Sequence, residues 1–208
     1  MPRSSGSPPL HCSYHNRRVA CTLAVFVVVL ITVAAVSADP MSALRVTARA
    51  SWIISGGRYL GADSMVFQST LYDCGPAALA SLMITLGAVP PPLDSIRKLA
   101  GTSIRGTTIA SLTRASTSLG LHLRPYMLPS SHVQHSALPL IAWIDRGHFV
   151  VVKAGNTAGT VTVLDPQAGR YRLSIAQLAT RWTGEAIVRA APSTGGATPG
   201  SATLRPPE

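Results

Sequence analysis

The sequence predicts an α+β domain in which a helical layer comes first and an antiparallel β-sheet layer second. Two observations predict it. Between residues 76 and 120 lie three stretches of helical character, each stopped by a glycine. After Gly120 the pattern changes to short β-type runs separated by turns. Helices gathered ahead of strands indicate two sub-layers rather than alternating crossovers.

Taken in order, residues 1–18 carry Arg3, Arg17 and Arg18 and no acid, a basic and cytoplasmic N-terminus. Val19 to Val36 then runs without a charge. A helix rising about 1.5 Å per residue would there approach the lower limit for crossing a hydrocarbon core of about 30 Å. Positive charge ahead of the run sends the rest of the chain outwards, away from the cytoplasm. Val36-Ser37-Ala38 also fits the small-residue rule for signal cleavage. Residues 19–38 are thus a transmembrane anchor or a cleaved signal peptide, and in the second case the domain is secreted or periplasmic.

Residues 39–57, ending in Gly56-Gly57, read as a linker, 58–191 as the folded domain, and 192–208, rich in Pro, Gly, Ser and Thr, as a disordered tail. Within the domain, Pro76–Leu86 (PAALASLMITL) is the first helix, stopped by Gly87. Pro92–Ala100 is the second, with Asp94 near its start, and Thr108–Leu119 the third. LHLRPYML, LPLIAWID, HFVVVKA and TVTVLD are the strands, and Ser174–Trp182 is a last helix.

Composition narrows the function. The chain has 208 residues, enough for one domain with tails, and at 47% apolar and 12% charged it is too apolar to be disordered. Its net charge of +10 comes from scattered arginines, and aromatics make up only 5%. Without a basic run or a stacking platform, nucleic acid is not an expected partner. His122, His132 and His135 form no ligand set with Cys74, so neither a metal nor another cofactor is expected.

Cys74 is the only cysteine after the apolar run and sits in Tyr72-Asp73-Cys74-Gly75-Pro76-Ala77. Pro76 suits the first turn of a helix, which places Cys74 at a helix N-terminus, where a thiolate is favoured. Taken alone, Cys74 reads more readily as a small buried hydrophobe at a loop end. Other residues change that. His148 opens the strand HFVVVKA just after the turn Asp145-Arg146-Gly147, so its ring can face a cleft. Asp165 ends the next strand, and antiparallel pairing would bring its carboxylate to the imidazole. By themselves these two also read as a strand-capping histidine and a turn aspartate. Gln68, six residues before the thiol, could supply an oxyanion donor together with the Cys74 N–H.

At these residues the chain resembles the bacteriocin-processing, double-glycine-leader cysteine peptidases, a papain-like family whose domain is often fused to an export ATPase. The resemblance runs from about Val66 to Val188. It rests on Gln68, Asp73 to Leu79, Gly106-Thr107, Gly120-Leu121, Leu138 to Ile141, His148 to Val151, Asp165-Pro166 with Gly169, and Trp182-Thr183-Gly184. It implies a papain-like fold with Cys74 as nucleophile, His148 as general base and acid, Asp165 as orienter and Gln68 as oxyanion donor. The implied reaction is hydrolysis of the peptide bond after a Gly-Gly leader, through an acyl-enzyme. The implied partners are a peptide or precursor-protein substrate and a separate export transporter.

No Walker-type ATPase follows Val188, so a stand-alone domain is expected. Its outward location differs from the cytoplasmic site of the transporter-fused domains. Two other functions fit the same scaffold: a non-catalytic peptide-binding module, and a cell-wall peptide amidase or transpeptidase. Gly56-Gly57 itself raises self-processing after Gly57. Ile54 and Val46 suit a leader there, and Ser51 does not.

Overall fold

The computed structural model describes residues 22–30, 33, 39–130, 133 and 138–189. The chain divides into two compact units at Ala43/Leu44. In the first, residues 22–30 are helical, with exposed side chains such as Leu23, Phe26 and Leu30. Among the described residues no helix is long and apolar enough to cross a membrane. The expected membrane segment 19–38 lies in part outside the described residues, as do the tail 192–208 and His132 and His135.

The linker expected over 39–57 is instead mostly a helix, α1 (Pro40–Ile54). Asp39 starts it, its carboxylate accepting from the N–H groups of Met41 and Ser42 at 3.0 and 3.2 Å, with Pro40 in the first helical position. From Leu44 onward the helix belongs to the second unit, and Trp52 on it is fully buried. Gly56-Gly57 is the stop of this helix. The Gly56 N–H donates to the Ile53 carbonyl at 2.9 Å and the Gly57 N–H to that of Trp52 at 2.8 Å. Gly56 has φ +80°, the left-handed conformation that closes a helix and that glycine adopts without strain.

The second unit is built on a seven-stranded sheet in the order β1-β6-β5-β4-β3-β7-β2, with every neighbouring pair antiparallel. Its strands are β1 (Arg58–Gly61), β2 (Leu123–Met127), β3 (Leu140–Ile144), β4 (His148–Ala154), β5 (Thr160–Asp165), β6 (Gly169–Ser174) and β7 (Trp182–Arg189). The four strands expected from sequence are β2 to β5. Strands β1, β6 and β7 were not expected. In β6 the residues alternate between buried Gly169, Tyr171 and Leu173 and half-buried Arg170, Arg172 and Ser174. Arginines at every second position hid that period.

Helices α2 (Cys74–Thr85), α3 (Leu93–Leu99) and α4 (Ile109–Ser118) are the three expected ones, and α5 (Ile175–Ala179) is the last. Helix α2 begins two residues earlier than Pro76 and is buried all round from Cys74 to Met83. It is the centre of its layer, packed on β4 with α3 and α4 flanking it.

Helices cover both faces of the sheet, where the sequence suggested two sub-layers. On one face Ile141, Phe149, Val151, Leu164 and Ile187 pack with Leu79, Leu82, Ile96 and Leu112 of α2 to α4. On the other, Leu140, Ala142, Val150, Val152, Val161 and Val163 pack with Trp52 of α1 and Leu178 of α5. The alternation along β3, β4 and β5 divides one run of apolar residues between two cores. That is why those strands are apolar on both sides.

Candidate active site

Cys74 is the first residue of α2 and the free cysteine among the described residues. It is 8% exposed, and the helix dipole and the N–H groups of the first turn point at its end of the helix. The backbone here is closely approached. A Cβ on Gly75 would lie 3.1 Å from Thr107 Cβ and 3.2 Å from Phe149 Cδ2, so a larger residue after the cysteine would have to push Thr107 or Phe149 aside by a few tenths of an ångström.

The residue before Cys74 fixes the loop leading to it. Asp73 is fully buried, and its carboxylate accepts from the N–H and Oγ of Ser69 at 3.3 and 2.8 Å and from the N–H of Thr70 at 3.0 Å. Arg97 Nη1 of α3 stands 3.7 Å away and also pairs with Asp94 at 3.0 Å. Those donors offset the cost of burying so polar a group.

His148 enters from the other side, at the start of β4. Its Nε2 lies 2.8 Å from Asp165 Oδ1, and both residues are buried. The expected pairing of β4 with β5 is what joins them, in the register Val151 opposite Leu164. The ring's other nitrogen, Nδ1, is buried and has no hydrogen-bond partner. Cys74 contributes to the ring's proton affinity. The proton affinity of His148 is pushed up to about 10. Burial opposes the charged ring, but the charge and hydrogen bond of Asp165 outweigh it, with Cys74 adding to them. Asp165 is held below the usual carboxylate range although burial pushes it up. The charge and hydrogen bond of His148 pull it down, joined by Trp52 and the Gln167 N–H.

Gln68 is buried beside these groups. Its backbone N–H donates to the Pro166 carbonyl at 3.0 Å, which ties the loop before Cys74 to the turn after Asp165. One proton of its amide Nε2 goes to the Thr70 carbonyl at 2.7 Å, and its Oε1 is buried without a partner. The structure thus places Cys74, His148, Asp165 and Gln68 at one end of the sheet, where α2 begins and β5 ends. No group of three or more His, Cys, Asp or Glu able to hold a metal ion occurs among the described residues.

Two residues of this neighbourhood escaped the sequence reading. Asp73 was visible in the motif without a role. Trp52 lay in the supposed linker, although Leu44, Ala48 and Trp52 recur at four-residue spacing, a helical stripe that would have revealed it.

Comparison with known proteins gives a consistent result. The model of the peptidase C39 family matches residues 63–194. An uncharacterized protein of Methanothermobacter marburgensis is 32% identical over 130 residues, 62% of this chain and 90% of that protein. The protein named "Probable functional amyloid protease FapD" from Pseudomonas aeruginosa is 31% identical over 58% of this chain and 57% of its own. Among solved structures, the peptidase domain of Streptococcus ComA, a bifunctional ABC transporter, superposes with a TM-score of 0.55 at 26% identity. It covers 62% of this chain and 98% of that domain. A double-glycine motif protease from an AMS/PCAT transporter, solved with its leader peptide, has the same fold. Its TM-score is 0.54 at 20% identity, over 64% of this chain and 99% of that one.

Proposed function

The chain belongs to the peptidase C39 family and is a cysteine peptidase, and on that premise we propose that Cys74, His148, Asp165 and Gln68 carry out its reaction. We propose further that the bond cut follows a Gly-Gly pair in a peptide leader. The observation that carries the catalytic assignment is the 2.8 Å contact of His148 Nε2 with Asp165, on a buried ring whose proton affinity Cys74 also raises.

In this reading the thiol proton resides on His148, and the Cys74 thiolate attacks the carbonyl carbon of the scissile bond. The Cys74 N–H and the second Nε2 proton of Gln68 meet the oxyanion. His148 gives its proton to the leaving amine, then takes one from the water that cleaves the thioester and returns the thiol. Asp165 keeps the imidazole in one tautomer and supports its charged form throughout. Support for the Gly-Gly preference comes from the resemblance in sequence and from the solved double-glycine protease that shares the fold. Support for a transporter partner comes from the ABC transporter that contains the similar ComA domain. The basic residues 1–18 and the uncharged run after them support an exported or membrane-attached domain.

The test is hydrolysis of leader peptides ending in Gly-Gly, followed by mass spectrometry, with Cys74→Ala as the control. Cleavage after the second glycine is expected, with Cys74→Ala folded and inactive. Cutting that continues unchanged when both glycines are replaced by alanine would remove the Gly-Gly preference. Activity surviving in Cys74→Ala would remove the mechanism.

A further inference from the structure

We propose that Trp52, on a helix ahead of the region that the family model matches, is a positioning residue for catalysis, its indole N–H fixing the carboxylate of Asp165 against His148. The family model begins at residue 63, so Trp52 lies outside the part of the chain that defines the family. Its Nε1 donates to Asp165 Oδ2 at 2.5 Å, while Oδ1 of the same carboxylate holds His148 and accepts from the Gln167 N–H at 2.7 Å. Each oxygen of the carboxylate therefore has an assigned partner, and the plane of the group is set by two elements far apart in sequence.

The indole is itself held. It is fully buried, stacks on Tyr171 with ring centroids 5.9 Å apart at 24°, and carries the Arg181 guanidinium 3.8 Å from its own centroid. Burying an indole N–H requires a partner, and here that partner is the group the imidazole depends on. The titratable groups that interact with Asp165 are His148 on β4 and Tyr171 on β6; Tyr171 in turn interacts with Arg49 of α1 and Tyr59 of β1, and Arg181 lies over the indole. Among the described residues, the side chains hydrogen-bonded to the carboxylate are those of Trp52 and His148.

This inference rests on the reading of Asp165 as the orienter of His148, and its test separates the two. Trp52→Phe keeps an aromatic ring against Tyr171 and removes the N–H together with part of the indole's volume, so the circular dichroism spectrum and the thermal midpoint are measured to check the fold. The first readout is the titration of the Asp165 carboxyl carbon by NMR in the full chain. With eight acidic residues in the sequence, the signal can be assigned by its loss in Asp165→Asn. Losing a donor to the charged form should raise its midpoint by about one pH unit, a tenfold change in proton affinity. The second readout is the rate on the Gly-Gly leader peptide. Trp52→Phe should lower kcat about tenfold with KM nearly unchanged, and should cost almost nothing further in an Asp165→Ala background. An unmoved Asp165 midpoint, or costs that multiply independently in the double variant, would overturn the role of Trp52. If Asp165→Ala alone leaves the rate intact, the assignment of Asp165 fails instead. If the wild-type chain cuts no leader peptide, the substrate reading fails and the titration alone decides on Trp52.

Discussion

In the proposed reaction the two faces of the sheet do different work. The face covered by α2, α3 and α4 carries Cys74, the proposed nucleophile, at the entrance of a helix buried from Cys74 to Met83. The opposite face, covered by α1 and α5, supports His148, the proposed base. His148 shares the parity of Val150 and Val152 along β4, and Asp165 that of Val161 and Val163 along β5, all of which belong to the Trp52 core. The thiol and the carboxylate that tunes its partner are therefore anchored in separate cores. A site at the end of the sheet can draw on both.

The largest effect expected lies on the nucleophile side. If Gln68 is the oxyanion donor, Gln68→Ala should lower kcat by about 10²–10³-fold with little change in KM. The same substitution also removes the bond to the Thr70 carbonyl, so the thermal midpoint must be measured beside the rate. A loss of stability with kcat within about threefold of wild type would make Gln68 a loop tie. The two faces would then differ more sharply, with all polar catalytic groups but the thiol on one of them.

The helical layer and the strands of the sheet's centre were legible in the sequence because each carried a local signal, whereas the four candidate residues were singled out by their order along the chain and by the family resemblance. Glycine stops marked α2 to α4, β-branched runs marked β4 and β5, and the Cys-Gly-Pro step marked a helix entrance. The Trp52 face was not legible. Helix α1 has no acid within its first turn and no base in its last, follows a long apolar run, and ends in a glycine pair that reads as a hinge. Its one decisive contact is made to a residue 113 positions away. Periodicity registers which side of a helix is apolar and is silent about a single hydrogen bond to a distant strand.

A medium effect concerns the pair that joins the faces. His148 gains proton affinity on folding, so its contribution to stability is fully present below about pH 6.5 and is lost as the pH rises through about 10. Asp165 is depressed, so its contribution is present above the ordinary carboxylate value and is lost as the pH falls through its lowered one. The thermal midpoint should fall on the alkaline side between those limits, by an amount equivalent to a few kcal/mol. In His148→Gln that alkaline decline should shrink markedly. An identical decline in the variant would assign it to other groups and disconnect the two faces energetically.

The smallest effect lies in two arginine clamps, one on each side. Arg97 reaches Asp73, the residue just before Cys74, and Arg181 pairs with Asp145, three residues before His148. In both cases a cation from a separate element ties down the turn that delivers a catalytic residue. The clamps differ in what they hold. Asp73 is fully buried and keeps three other donors, whereas the Asp145 side chain is 43% exposed and its pairing is screened by water and salt. Arg181 adds its stacking over Trp52, an interaction of about 0.5–1 kcal/mol at most partly exposed sites. Arg181→Met should therefore cost about 1 kcal/mol, and raising the salt should narrow its gap to wild type. Arg97→Met should cost a similar amount with a weaker dependence on salt, because the carboxylate it leaves behind is enclosed. Chemical denaturation at low and high ionic strength measures both. Equal salt dependence in the two variants would mean that the turns before the thiol and before the imidazole are held by equivalent surface pairs. The difference between the faces would then reside in Trp52 alone.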